Sequence, residues 1–342
     1  MLRTFPAGPV VTRISPVAYS VVGSSPSLWP TAESLQPAVL ELAHANDVTV
    51  IPRNVFLNVR GEVMRRSFAA GRFRNEGLKR LQLVNRYFSR AEISGAPVAT
   101  IEGPALAADS PWAGGYGHVL LEIAPMALLL ESCPPETEFV TSAPRSRTLL
   151  VLLEQLGVAP ERVRNITNAI VCRDLYFGER AVRLSGQVHP LARRAFTQLS
   201  GLAGRSRIVR HDRVYLSRSG VDARRLDVEK EVEALFARYG FEIVHPEAIE
   251  IEDQIALMAG ARMLAGLGGS AMHNAVFAPP DCPVLIVQPR MMSVAMDVGL
   301  CESGRRLGYV FGDGDPFADR FVAPWSVDLG DVEAGIQRHF GL

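Results

Sequence analysis

The apolar positions in the second half of the chain follow two alternating patterns. Val228, Val232, Leu235, Phe236 and Tyr239 fall at the spacing of one helix face, and Ile336 and Phe340 suggest the same for a terminal helix. Between the helical stretches lie short runs that are apolar but for Glu242, at residues 214–216, 241–244, 263–265 and 284–287. Such runs predict strands covered on both faces, as in a parallel sheet flanked by helices. Strands and helices in alternation predict an α/β fold. Asp227 is placed to cap the helix that carries Val232, and Gly240 to end it.

The first half follows the same plan less regularly. Residues 1–45 are rich in Pro, Ser and Ala, with a helix expected over 34–44. Residues 48–51 read as a strand, and 55–59 and 62–64 as a hairpin turning at Arg60-Gly61. Residues 69–92 are basic and mixed, and 104–113 read as a Pro/Ala/Ser loop. Gly114-Gly115-Tyr116-Gly117 then opens a strongly apolar helix through Leu120, Leu121, Ile123, Met126, Leu129 and Leu130. Strands are expected at 139–140 and 169–172, a helix over 147–156 closed by Gly157, and a helix over 190–202 linking the halves. Residues 1–190 and 191–342 are therefore expected to form two α/β domains.

Composition removes several classes of function. The 36 basic and 36 acidic residues cancel, so no global field draws the chain to nucleic acid or to an anionic membrane. Lys79 and Lys230 are the only lysines, which leaves arginine to do any phosphate gripping. Cys133, Cys172, Cys282 and Cys301 are widely spaced, so neither a zinc site nor a disulfide framework is expected, only buried free thiols. Residues 17–22 are too short an apolar run to direct export or span a bilayer, so a cytoplasmic location is expected, with attachment to the inner face of a membrane through a partner left open.

Three groups of residues carry candidate chemistry. Ser217-Arg218-Ser219 follows an apolar strand, at the end where open parallel sheets bind ligands, and Arg218 suits a diphosphate. The second group is Gly266-Leu267-Gly268-Gly269-Ser270, where backbone N–H groups at a helix start suit a phosphate. Glycines there also permit close helix–strand packing. The turn matches Gly-x-Gly-x-x-Ala, but the next strand ends at Gln288, where a dinucleotide fold would want an acid for the ribose. A sugar nucleotide therefore fits better than NAD. Third, His118 and Glu122 stand four apart on a predicted helix and project together, either as a catalytic pair or as a solvated pair at a helix start. No Asp-x-Asp stands in the expected site; Asp313 and Asp315 lie in a loop near the end, and no metal is expected to be required.

Taken together, these residues resemble glycosyltransferase family 61. The resemblance rests on Tyr215-Leu216-Ser217-Arg218, Arg224-Arg225, Glu229, Gln254, Gly266, Gly269, Asn274 and Phe277-Ala278-Pro279-Pro280, with departures at Val228, Gly268 and Gln288. It implies two Rossmann-like domains facing across a cleft, the GT-B arrangement. It further implies an inverting transfer of a sugar from a nucleoside diphosphate to a hydroxyl on a carbohydrate acceptor, a surface polysaccharide or glycolipid, with no cofactor. Ser217, Arg218, Arg225, Glu229, Gly268, Gly269, Ser270 and Asn274 would hold the donor, and Tyr116 and His273 would serve the acceptor. Glu122 would be the base, with His118 orienting the acceptor or the carboxylate. Rival readings are an NAD(P)-dependent oxidoreductase and a non-catalytic nucleotide-binding subunit.

Overall fold

The structure is a computed structural model, and it describes residues 2–5, 11–12, 21–22, 34–35, 39–62, 64, 67, 97–183, 187–222, 225–290, 305–314 and 323–342. These fall into two compact units, one drawn from residues 1–8, 37–183 and 189–199, the other from 9–36, 184–188 and 200–342. The basic stretch 69–92, Arg224, Cys301 and Asp315 lie outside the described residues.

The first unit is built on a mixed seven-stranded sheet. Its strands are β1 (Leu2–Phe5), β2 (Leu40–Ile51), β3 (Val55–Leu57), β4 (Ala99–Ala107), β5 (Glu138–Thr141), β6 (Val163–Asn165) and β7 (Ile170–Gly178). The spatial order is β1-β2-β7-β4-β5-β6, with β3 beside β2. From β7 to β6 the neighbours are parallel, whereas β2 runs antiparallel to β7, β1 and β3. Among the described residues the helix expected over 34–44 is absent: Ser34–Leu35 and Leu40–Ile51 are strand. Leu40, Leu42, Val48 and Val50 are buried at a period of two, and pairing along both edges of β2 overrides the helix propensity of its Leu, Glu and Ala residues. The strand 48–51 turns back at Pro52-Arg53-Asn54 to pair with β3. The expected hairpin at Arg60-Gly61 is present as a turn, with Asn58 N–H donating to Glu62 O and Met64 N–H to Phe56 O; Val63 lies outside the described residues. Residues 104–107, read as loop, instead complete β4. The register against β7 shifts just before Pro104, a bulge that tolerates a residue without an N–H.

The segment after Gly115 is helical but not uniform. It winds as an α turn at Tyr116–His118, a π turn at Val119–Ile123 and a 3-10 stretch at Ala124–Ser132. Pro125 has no N–H to give to an α ladder, and the winding changes beside it. Helix α1 (Arg147–Gln155) is capped by Ser146, whose Oγ accepts from Leu149 N–H, and is followed by Gly157 at φ +87°. Helix α2 spans Pro190–Ser200.

The second unit holds a seven-stranded sheet dominated by parallel strands: β8 (Arg213–Leu216), β9 (Glu242–Val244), β10 (Met263–Leu267), β11 (Val284–Pro289), β12 (Leu307–Gly314) and β13 (Trp325–Ser326), with Val21–Val22 paired to β12. The order is β9-β8-β10-β11-β12-β13, and only β13 runs antiparallel to its neighbour. Helix α3 (Glu229–Arg238) joins β8 to β9, and α4 (Ile251–Gly260) carries the chain from β9 back past β8 to β10. Right-handed crossovers place these two helices on opposite faces. Helix α5 (Leu329–Phe340) packs with α3, and their Val232, Phe236, Val332 and Ile336 share one core with Tyr215, Leu285 and Val310. Position Val228, not Asp227, precedes the first turn of α3, and no side chain caps it; Gly240 ends the helix at φ +78° as expected.

Candidate functional site

In the second unit the order β9-β8-β10 decides where a ligand can sit. The connections leaving β8 and β10 depart to opposite sides, so their carboxyl ends diverge and open a crevice, the place where open α/β sheets bind ligands. Leu216 of β8 is in register with Gly266 of β10. Ser217-Arg218 therefore leaves one side of the crevice and Gly268-Gly269-Ser270 the other. Two motifs some fifty residues apart in sequence are brought to one place by the sheet.

The Ser217-Arg218 loop is held from below. Glu229, buried in the first turn of α3, accepts from Arg218 N–H at 2.6 Å and from Ser217 Oγ–H at 3.2 Å. Ser217 Oγ also lies within hydrogen-bond reach of the Glu233 carboxylate and accepts from Ser219 N–H at 3.0 Å. Burial raises the pKa of Glu229, against the lowering effect of the Arg218 N–H. For Arg218, which is half-buried, burial lowers the guanidinium pKa while the charges of Glu229 and Glu247 oppose that.

Gly266 belongs to strand β10 rather than to the turn: a Cβ there would lie 2.7 Å from Leu216 O and 2.6 Å from Met272 Sδ. The turn proper is Gly268-Gly269, and a 3-10 stretch, Ser270–Phe277, follows where a helix start was expected. Within it Asn274 donates through Nδ2 to Gln254 Oε1 at 2.8 Å. His273, on the same stretch, is buried in this second unit, whereas Tyr116 is half-buried in the first. Arg225 is exposed, and its carbonyl accepts from Trp325 N–H.

In the first unit, His118 and Glu122 meet as their spacing predicts, with His118 Nδ1 2.7 Å from Glu122 Oε2. The setting differs from a solvated pair. Glu122 lies in the π turn and is fully buried, while the His118 side chain keeps 19% of its surface accessible. Two further groups close on the carboxylate. Ser110 Oγ–H donates to Oε2 at 2.6 Å, and the Arg180 guanidinium pairs with Oε1. Burial acts to raise the Glu122 pKa, but the Arg180 charge, then the His118 and Ser110 contacts, outweigh it and the net shift is downward. Glu122 is thus a fixed anion. Its bond to Nδ1 makes that nitrogen the donor and leaves the lone pair on Nε2. The ring stacks on Trp112 with centroids 5.2 Å apart, and a Cβ on Gly115 would stand 3.3 Å from His118 Cδ2. Ser110 and Arg180 went unrecognised in the sequence because they stand 12 and 58 positions from Glu122, with no local pattern joining them.

Asp109 anchors the floor of this cluster. Its carboxylate accepts from Arg53 N–H at 2.8 Å, Asn54 N–H at 3.2 Å, Ser110 N–H at 2.9 Å and Ser142 Oγ–H at 2.9 Å. Arg53 and Asn54 both have left-handed backbone, φ +71° and +68°, and the carboxylate holds that turn. Burial pushes the Asp109 pKa from 3.8 to about 6 despite these donors. An acid whose pKa rises on folding holds its proton more tightly when folded. Its stabilising contribution is therefore complete below the unfolded value and is lost as pH rises through about 6. That loss amounts to about 3 kcal/mol at 1.36 kcal/mol per pKa unit. Denaturation followed from pH 4 to 7 should show this slope in the wild type and a shallower one in Asp109→Asn, whatever the variant's overall stability. Equal slopes would remove Asp109 as its source.

Cys172 and Cys282 are buried, and burial pushes their pKa values up to about 12 and about 11. Among the described residues no helix is long and apolar enough to cross a membrane.

Residues 116–285 match the family described as Glycosyltransferase 61. No curated protein matches the chain. The matched segment begins at Tyr116, beside the His118–Glu122 pair, and takes in both sides of the crevice in the second unit.

Proposed function

Since the chain belongs to glycosyltransferase family 61, we propose that it moves a sugar from a nucleoside diphosphate to a hydroxyl of a carbohydrate acceptor, with inversion and without a metal. The observation that carries this reading is the meeting of Ser217-Arg218 with Gly268-Gly269-Ser270 at the carboxyl ends of neighbouring strands. The N–H groups at the start of the Ser270–Phe277 stretch and the Arg218 fork are the donors that a diphosphate accepts from. The oxidoreductase alternative draws no support from the family match.

In this reading the acceptor oxygen attacks the anomeric carbon, the bond from that carbon to the phosphate oxygen breaks, and the diphosphate leaves with the electron pair. Arg218 meets the charge gathering on the leaving group. His118 Nε2 takes the hydroxyl proton. This exchanges the roles expected from the sequence, where Glu122 was the base. A carboxylate that is fully buried and holds three partners is poorly placed to accept a proton from a ligand, but well placed to fix the imidazole and stabilise its charged form. The resemblance further supports a surface polysaccharide or glycolipid as acceptor.

Thermal stabilisation by nucleoside diphosphates tests the reading. UDP or another nucleoside diphosphate should raise Tm without added metal, while NAD and NADP should not. Arg218→Ala should weaken UDP binding by about 1.5–3 kcal/mol, and Arg218→Lys should recover only part of it. Stabilisation by NAD alone, or unchanged UDP affinity in a folded Arg218→Ala variant, contradicts the assignment.

A further inference from the structure

The crevice has a further wall, at the end of β9. In a doubly wound sheet, the acid that holds a ribose stands at the end of the second strand, beside the first βα turn. The strand after the glycine turn ends instead at the uncharged Gln288. The sheet order shows that the first βα turn is Ser217-Arg218, so the second strand is β9, which ends at Val244. There the chain reads His245-Pro246-Glu247. Ser217 N–H donates to Val244 O at 2.9 Å, which places the two loops side by side.

Glu247 lies over the phosphate-side loop. A Cβ on Gly220 would stand 2.3 Å from Glu247 Oε1, so the carboxylate occupies the space a side chain at 220 would take. It remains partly open, with 39% of its side-chain surface accessible, and His245 Nδ1 lies 3.8 Å from Oε1. The turn that carries it is built in. Gln254 Nε2 donates to Pro246 O at 2.8 Å and to Ile249 O at 3.2 Å, and its Oε1 accepts from Asn274 Nδ2. Asn274 is buried on the Ser270–Phe277 stretch, so one hydrogen-bond chain ties the glycine-turn side of the crevice to the Glu247 turn. Gln254 and Asn274 thereby act as positioning residues that set the two walls relative to each other.

We infer that Glu247 is the ribose-binding residue of this site, its carboxylate accepting from the 2′- and 3′-hydroxyls of a nucleoside diphosphate whose phosphates lie toward Arg218 and Gly269. This rests on the diphosphate reading above and adds the direction in which the nucleotide lies across β9, β8 and β10. An acid at this position has no proton to donate to a phosphate, but it suits a vicinal diol, which offers two donors.

Calorimetric titration with UDP, 2′-deoxy-UDP and inorganic pyrophosphate separates the two claims. The wild-type chain should bind UDP roughly tenfold or more tighter than 2′-deoxy-UDP, the loss expected when a hydrogen bond to a charged group goes unmade. Glu247→Gln and Glu247→Ala should weaken UDP by a similar factor and narrow its advantage over 2′-deoxy-UDP, while pyrophosphate binding is unchanged. Gly220→Ala, whose Cβ displaces the carboxylate, should move UDP in the same direction. If UDP binds but its preference over 2′-deoxy-UDP survives Glu247→Ala, the ribose assignment falls and the diphosphate site stands. Tighter UDP and pyrophosphate binding in Glu247→Gln would also overturn it, making Glu247 a guard on Arg218. If neither UDP nor pyrophosphate binds the wild type, both claims fail together.

Discussion

Replacing His118 by alanine should lower sugar transfer by about a hundredfold to ten-thousandfold, the range spanned by positioned general acid–base groups. UDP affinity should hold, because Arg218 and the glycine turn belong to other elements. The fold should hold too, since His118 is partly accessible and its removal leaves Glu122 still paired with Arg180 and Ser110. Glu122→Gln should also be damaging, for a different reason: the amide cannot stabilise an imidazolium, and it leaves Arg180 buried without its counter-charge. The two effects separate in a double variant. If His118 takes the proton and Glu122 serves it, His118→Ala/Glu122→Gln should turn over no more slowly than His118→Ala alone. Normal turnover by His118→Ala places the base elsewhere.

Arg180→Met is expected to be strongly destabilising. The Arg180 side chain is 9% accessible and faces a carboxylate with no solvent contact. Removing one partner of such a pair leaves an uncompensated buried charge, at a cost of about 3–5 kcal/mol. Without the guanidinium, burial is far less opposed at Glu122 and its pKa moves up. The variant should therefore regain stability as pH falls toward the ordinary carboxylate value of about 4.3. The wild type shows the reverse dependence from this group, because a lowered pKa makes its contribution complete at neutral pH and lost in acid. Arg180→Met/Glu122→Gln should recover part of the loss at pH 7, which urea denaturation would measure. A loss below about 1 kcal/mol in Arg180→Met would show that water reaches the carboxylate.

Local pattern was enough for most elements of the second unit. All-apolar runs marked β8, β10 and β11 because strands covered on both faces admit few polar residues, while β9, at the end of the strand order, opens on the exposed Glu242. Helical spacing and Gly240 marked α3 and its end. The His118–Glu122 contact was also legible, because four residues is one helical turn and the π winding still brings the two side chains together. Misreadings arose where pairing outweighed propensity. Residues 40–44 look helical in composition, yet both edges of that segment are hydrogen-bonded into a sheet.

An α/β chain with a diphosphate-suited arginine loop, a glycine turn and a His–Glu pair was legible from the residues alone, since each depends on residues within one turn or one strand end. How those parts come together depends on long-range packing. Strand order is not encoded in any short window, and it alone brings Arg218 beside Gly268 and makes β9, not β11, the strand whose end should carry the ribose acid. Burial likewise depends on what packs around a group. Arg180, fifty-eight positions away, holds Glu122 as a buried, paired anion.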